Sequence, residues 1–182
     1  MIQITPDILL FKNILPIHLT AILRGIRERH HEGRIELNHH EHALEHFLDF
    51  WKEIELTIKD YYFQYLEDDN LQVERKGLME YTKFKWREIF LYRYTPESSS
   101  KEDKKLHWDF SEFTFVANFG EDDYSGGELY FPRQNVRHKL EKNDLIFFPG
   151  GMTHPHHIFP LSVGIRDVLI GQILPFKQDH WI

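Results

Sequence analysis

The sequence predicts a mainly β protein with helices gathered at its N-terminal end. Three observations carry this. Residues 41–66 repeat apolar side chains at intervals of three and four. From Lys83 onward the chain switches to short runs of aromatic and β-branched residues. Those runs are broken by turn residues such as Gly126-Gly127. Short strands joined by turns make an antiparallel jelly roll or barrel.

Taken in order, Ile8-Leu9-Leu10-Phe11 reads as a short strand that ends in a turn at Asn13. Pro16 suits the first turn of a helix, and Ile17, Leu19, Ala21, Ile22, Leu23 and Ile26 carry that helix to about Arg29. A polar, His-rich stretch covers His30 to His42. A longer helix is predicted from about Glu41 to Leu66, burying Leu44, Phe47, Leu48, Trp51, Ile54, Ile58, Tyr61, Tyr62 and Tyr65, and ending at Glu67-Asp68-Asp69-Asn70. Phe84 to Tyr94 is aromatic strand material. Pro96 to Lys105, with Ser98-Ser99-Ser100 and many charges, is a solvated loop, expected to be mobile and to close over a site when substrate binds. Strands then follow at Phe113–Phe119, Glu128–Phe131, Asp144–Phe148, His156–Phe159 and Arg166–Ile173, with the turn at Gly126-Gly127 needing positive φ.

A chain of 182 residues without a Gly-, Pro- or Ser-rich linker is expected to form one domain over residues 1–182, with helical support over about 1–82 and a β core over about 83–176. The formal charge of −7 argues against nucleic acid as the main ligand, which needs clustered Lys and Arg. The absence of Cys excludes disulfides and zinc–thiolate sites, so an apolar core must hold the fold. The N-terminus has no basic region followed by a cleavage site, and no apolar run approaches a bilayer span. The expected location is cytoplasmic, with no membrane partner.

The chemistry concentrates between Leu106 and Arg166. His107-Trp108-Asp109 places an imidazole and a carboxylate two residues apart, which on a strand puts both on one side. A second His from a distant strand would complete two imidazoles and a carboxylate on one face. That ligand set leaves open positions on non-haem Fe(II). Three histidines crowd the second position: His154, His156 and His157, the last on the opposite strand face from the other two. Arg166 opens the apolar run Val168-Leu169-Ile170, where an inward-facing charge needs a partner.

With these residues stand Ser125-Gly126-Gly127-Glu128-Leu129, Asp144-Leu145-Ile146-Phe147-Phe148-Pro149, and a segment reading H-x-I-x-P-L-x-x-G-x-R from His156 to Arg166. This set, over about Glu88 to Phe176, resembles the Fe(II)- and 2-oxoglutarate-dependent dioxygenases, in particular their prolyl 4-hydroxylase-like branch. The resemblance implies a double-stranded β-helix (jelly-roll) core with the helices packed outside. It implies that His107, Asp109 and His156 are the metal ligands and catalytic centre, His156 being the histidine at the family's offset from Arg166. It also implies that Arg166 binds the distal carboxylate of 2-oxoglutarate. Tyr94, in Tyr94-Thr95-Pro96, matches a co-substrate tyrosine of the family, although no Gly follows Pro96; Tyr92 shares its strand face and is the weaker candidate. Val116 stands where some relatives carry another such tyrosine. The implied cofactors are Fe(II), 2-oxoglutarate as co-substrate and O2, with ascorbate a candidate reductant. The implied reaction is hydroxylation of a C–H bond with release of succinate and CO2, on a prolyl residue of a peptide or protein.

Three other readings compete. The substrate of the same chemistry is a free amino acid or other small molecule; or the chain is a non-catalytic jelly-roll binding module; or His42-Ala43-Leu44-Glu45-His46, an H-x-x-E-H string, binds zinc as in inverted zinc proteases. In that stretch a solvated helix start is the simpler account. Asn118 is assigned either to the pocket lining or to a structural hydrogen bond, and Glu128 to a structural role.

Overall fold

The computed structural model describes residues 1–31, 33–67, 85–100 and 105–174. The helix end predicted at residues 68–70, Phe84, the 101–104 part of the charged loop and the chain beyond Leu174 lie outside the described residues. Two helices are present as predicted, α1 (Ile17–Arg29) and α2 (Glu41–Glu67). Pro16 caps the first with φ −63°, the value its ring imposes. Ile17, expected in the buried stripe, is 86% exposed. Leu19, Leu23 and Ile26 carry the buried face instead.

Twelve strands are described: β1 (Ile2–Thr5), β2 (Ile8–Phe11), β3 (Arg34–Glu36), β4 (Lys85–Tyr94), β5 (Phe113–Asn118), β6 (Ser125–Gly126), β7 (Leu129–Phe131), β8 (Val136–His138), β9 (Leu145–Pro149), β10 (His157–Ile158), β11 (Leu161–Val163) and β12 (Arg166–Leu174). Seven of them form one antiparallel sheet in the order β1-β2-β9-β5-β12-β4-β3; β10-β7-β8 and β11-β6 form two smaller sheets. The protein is therefore mainly β with helices at its N-terminal end. Strand β3 lies inside the stretch expected to be irregular, and a one-turn helix at Pro96–Ser99 opens the predicted loop, capped by the Thr95 side chain.

Side-chain alternation in the large sheet builds two cores. Phe115, Ala117, Leu145, Phe147, Leu91 and Leu169 point to the helices, where they meet Phe47, Trp51, Ile54 and Ile58 of α2. The Phe115 ring stacks on Phe47 and Trp51 with centroids 5.7 and 5.2 Å apart. Gly171 makes this possible, since a Cβ there would collide with the Phe115 and Trp86 rings. The intervening residues Val116, Ile146, Phe148 and Val168 face the small sheets and pack with Leu129, Phe131, Ile158 and Leu161. Each of these buried side chains contributes about 1.5–3 kcal/mol by leaving water. The cavity described next opens on this second face.

Candidate active site

His107, Asp109 and His156 come together with one ligand atom each inside 4.8 Å of the others. Among the described residues this is the single cluster of three or more His or acidic groups with metal-binding spacing. His107 Nε2 lies 3.8 Å from Asp109 Oδ1, and His156 Nε2 lies 3.7 Å from Asp109 Oδ2. The strand expected for His107-Trp108-Asp109 is absent. His107 and His156 form an isolated antiparallel bridge, with backbone bonds of 3.0 and 2.8 Å in the two directions, and Gly151 N–H donates to the Asp109 carbonyl at 2.8 Å. Two loops pinned to each other thus do the work assigned to strand parity.

Both imidazoles are oriented alike. His107 Nδ1 is 2.8 Å from the Lys105 carbonyl and His156 Nδ1 is 3.0 Å from the His154 carbonyl. A carbonyl only accepts, so each Nδ1 carries a proton, and it is Nε2 that faces the cluster, offering its lone pair in the neutral imidazole. The Thr114 hydroxyl donates to Asp109 Oδ2 at 2.7 Å and is itself 2.9 Å from Ser111 Oγ. These are the outer-shell partners that fix metal-ligating side chains. Burial pushes the His156 imidazole below its ordinary pKa, against the pull of Asp109. The donor set of two imidazole nitrogens and one carboxylate suits a divalent first-row metal and leaves positions open.

The cluster opens into a cavity of about 180 Å³ whose walls include Tyr92, Tyr94, Val116, Leu129 and Ile158. Arg166 is fully buried and pairs across the β12–β4 ladder with Tyr94, its guanidinium 5.8 Å from that ring's centroid. Its Nη1 donates to the Gly127 carbonyl at 2.9 Å and the guanidinium faces the Tyr124 hydroxyl; Nε and Nη2 make no hydrogen bond of normal geometry, and no carboxylate pairs with it among the described residues. A buried guanidinium left in that state is expensive unless an anion completes it. Gly126 and Gly127, at φ 82° and 75°, build the acceptor: a Cβ at Gly126 would strike the Pro160 carbonyl, and Gly127 N–H donates to Phe159.

The remaining candidates are sorted by contact. His154 turns away from the cluster, with Nε2 3.0 Å from Asp7 Oδ2. His157 stacks edge-on against Tyr130 and Phe159. Asn118 is structural: its amide donates to the Leu140 carbonyl at 3.2 Å and its oxygen accepts from Gly120 N–H. Glu128 pairs with Arg137 at 3.3 Å. The His42 and His46 rings meet edge to face at 4.6 Å and His18 lies 5.4 Å from His46, but these rings do not form a metal-spaced cluster among the described residues. Sequence reasoning missed three residues. Thr114 was detectable from its parity with Val116; Arg34 and Gln172, at the cavity mouth, gave no local signal.

No family model and no curated protein sequence matches the chain. Solved structures do. The viral collagen prolyl hydroxylase of Paramecium bursaria Chlorella virus-1 is 14% identical, with TM-score 0.65 over 92% of this chain and 88% of that one; its 2OG complex aligns at 0.64. A Pseudomonas putida prolyl-4-hydroxylase is 20% identical, with TM-score 0.59 over 92% of each chain. NgTET1 in complex with 5mC DNA is 15% identical, with TM-score 0.55 over 93% of this chain and 72% of that one. The fold is the one these oxygenases share, with prolyl hydroxylases among the structures nearest to it.

Proposed function

We propose that the chain is a single-domain Fe(II)- and 2-oxoglutarate-dependent dioxygenase, built on a double-stranded β-helix, that hydroxylates a C–H bond. The observation that carries this reading is the pairing of two features in one place. A cluster of two imidazoles and one carboxylate opens into a cavity walled by Tyr94, and Tyr94 is the ladder partner of Arg166, a fully buried guanidinium whose Nε and Nη2 make no hydrogen bond of normal geometry. A metal alone explains the first. A carboxylate-bearing co-substrate, reaching from the metal to Arg166, explains both.

In this reading His107, Asp109 and His156 hold iron through the lone pairs that the Lys105 and His154 carbonyls leave exposed. Iron bound there supplies the redox chemistry by which 2-oxoglutarate and O2 become succinate and CO2 while one oxygen atom enters the substrate. Arg166 takes the distal carboxylate through Nε and Nη2, a two-point geometry that fits the planar fork to the anion. Tyr94 closes the wall beside it. Thr114 fixes the Asp109 carboxylate so that its oxygens do not rotate away from the metal. Val116, Leu129 and Ile158 keep water from the reacting centre.

The substrate proposed is a prolyl residue in a peptide or protein, supported by the prolyl hydroxylases that share the fold; the net charge of −7 favours a partner other than nucleic acid. Among the described residues no helix is long and apolar enough to cross a membrane, and a cytoplasmic location is part of the proposal. The test is mass spectrometry of prolyl peptides and free amino acids incubated with enzyme, Fe(II) and 2-oxoglutarate. Gain of one oxygen by a prolyl peptide supports the reading. Oxygen gain confined to a free amino acid assigns the small-molecule alternative.

A further inference from the structure

Arg34 stands where the triad cavity meets a second, open groove lined by His30, His31, His39 and His40. It belongs to β3, the edge strand of the large sheet, opposite Tyr92 of β4. Its guanidinium is held on three sides. Nε donates to Glu36 Oε1 at 2.6 Å, Nη2 donates to Glu88 Oε2 at 2.7 Å, and Cζ lies 3.8 Å over the Phe90 ring. Nη1 has no partner among the described residues. The side chain is thus a preorganised donor where the two cavities meet, partly open to solvent, with Nη1 free of protein partners among the described residues.

The two arginines of this region differ in a way that bears on what each can hold. Arg166 pairs with no carboxylate among the described residues. Arg34 has its charge matched by Glu36 and Glu88, with Arg87 3.6 Å from the other oxygen of Glu88. An anion at Nη1 of Arg34 would meet the field of two carboxylates within hydrogen-bond distance of the same guanidinium. A neutral carbonyl oxygen would gain the hydrogen bond without that repulsion. Gln172, opposite Glu88 on the β12–β4 ladder, adds an uncharged amide to the same mouth. A ligand passing Arg34 has the histidine-lined groove ahead of it, room that a free amino acid does not use.

We propose that Arg34 is a specificity residue that donates from Nη1 to an uncharged backbone carbonyl, so that the cavity selects the peptide-bonded form of its substrate over the free acid. This rests on the oxygenase reading above. The test is a panel holding each proteinogenic amino acid both free and inside an N-acetylated, C-amidated Gly-X-Gly tripeptide, assayed for one-oxygen gain and for succinate. The parent protein is expected to turn over capped members in preference to free ones. Arg34→Gln should lower the capped-over-free ratio of kcat/KM about tenfold, the low end for a lost charge-assisted hydrogen bond. Glu36→Gln combined with Glu88→Gln removes the compensation and should raise turnover of free acids, a gain that damage to the fold cannot produce. Preference of the parent for free acids, or a ratio unchanged in both variants, overturns the proposal. Succinate formation with no panel member oxidised also overturns it while leaving the oxygenase reading standing. Absence of succinate overturns both.

Discussion

Replacing Arg166 by Met removes the proposed co-substrate clamp while keeping most of the side chain's bulk. The structure sets the size of the effect. Two N–H groups, Nε and Nη2, are buried without a hydrogen bond of normal geometry, and each can donate one charge-assisted bond to a carboxylate. At about 1.5–3 kcal/mol per bond, the pair contributes about 3–6 kcal/mol, or roughly a hundred- to ten-thousandfold in 2-oxoglutarate affinity. The protein itself loses the bond to the Gly127 carbonyl and the contact with the Tyr124 hydroxyl. Removal of a buried charge that has no carboxylate partner offsets that loss, so the variant should fold. The assay is half-saturation of succinate release against 2-oxoglutarate, paired with thermal unfolding. The parent should gain about 2.7 kcal/mol of stability at a hundredfold excess over Kd, and the variant almost none at the same concentration. A half-saturation unchanged in Arg166→Met would refute the clamp and leave the buried guanidinium without a role.

Three further outcomes are expected. Thr114→Val removes the donor to Asp109 Oδ2 and should weaken metal binding about ten- to hundredfold in anaerobic equilibrium dialysis; unchanged affinity would mean the carboxylate is held by its backbone alone. His42→Ala with His46→Ala should leave metal stoichiometry and succinate release at parental values, whereas loss of either would revive the helical histidine site. Burial holds the His138 and His156 imidazoles below their ordinary value of 6.5, so below that pH the unfolded chain binds more protons than the folded one. The stability they contribute is complete above about pH 6.5 and is lost as pH falls toward their folded-state values. In the metal-free protein, His138→Asn should therefore flatten the fall of the urea midpoint between about pH 7 and pH 5; an unaltered slope would assign the acid sensitivity elsewhere.

What the sequence revealed depended on whether the signal was local. The α2 stripe from Leu44 to Ile58 is periodic, so its helix was readable within a residue or two of its ends, although Ala43 rather than Leu44 is the fully buried residue at its start. Strands β5, β9 and β12 were readable because they are central and nearly all apolar. Strand β3 was not, because an edge strand of Arg-Ile-Glu carries the charges that protect an edge and looks like loop. Strands β1 and β8 are short hairpin partners of β2 and β7, too brief to show a pattern of their own, and β11 forms by pairing with the distant β6. At the site, His107, Asp109, His156 and Arg166 stood out through residue type and spacing. The physical argument for the first two was nonetheless incomplete, since a bridge to His156 and a bond from Gly151 aim them, not a strand. The pairing of Asp7 with His154, and the placement of Arg34 over Phe90, join segments far apart in the chain and left no trace in either one alone.

The central claim is that the His107–Asp109–His156 cluster and Arg166 form one centre for iron-dependent oxidation of 2-oxoglutarate. The most direct measurement is succinate formed from 2-oxoglutarate in the presence of Fe(II) and O2, by the parent protein and by Asp109→Ala side by side. Succinate from the parent that requires added Fe(II), and none above background from a folded Asp109→Ala variant, is the result this account predicts. Equal succinate from both proteins would contradict the ligand assignment, and none from either would reduce the fold to a binding module.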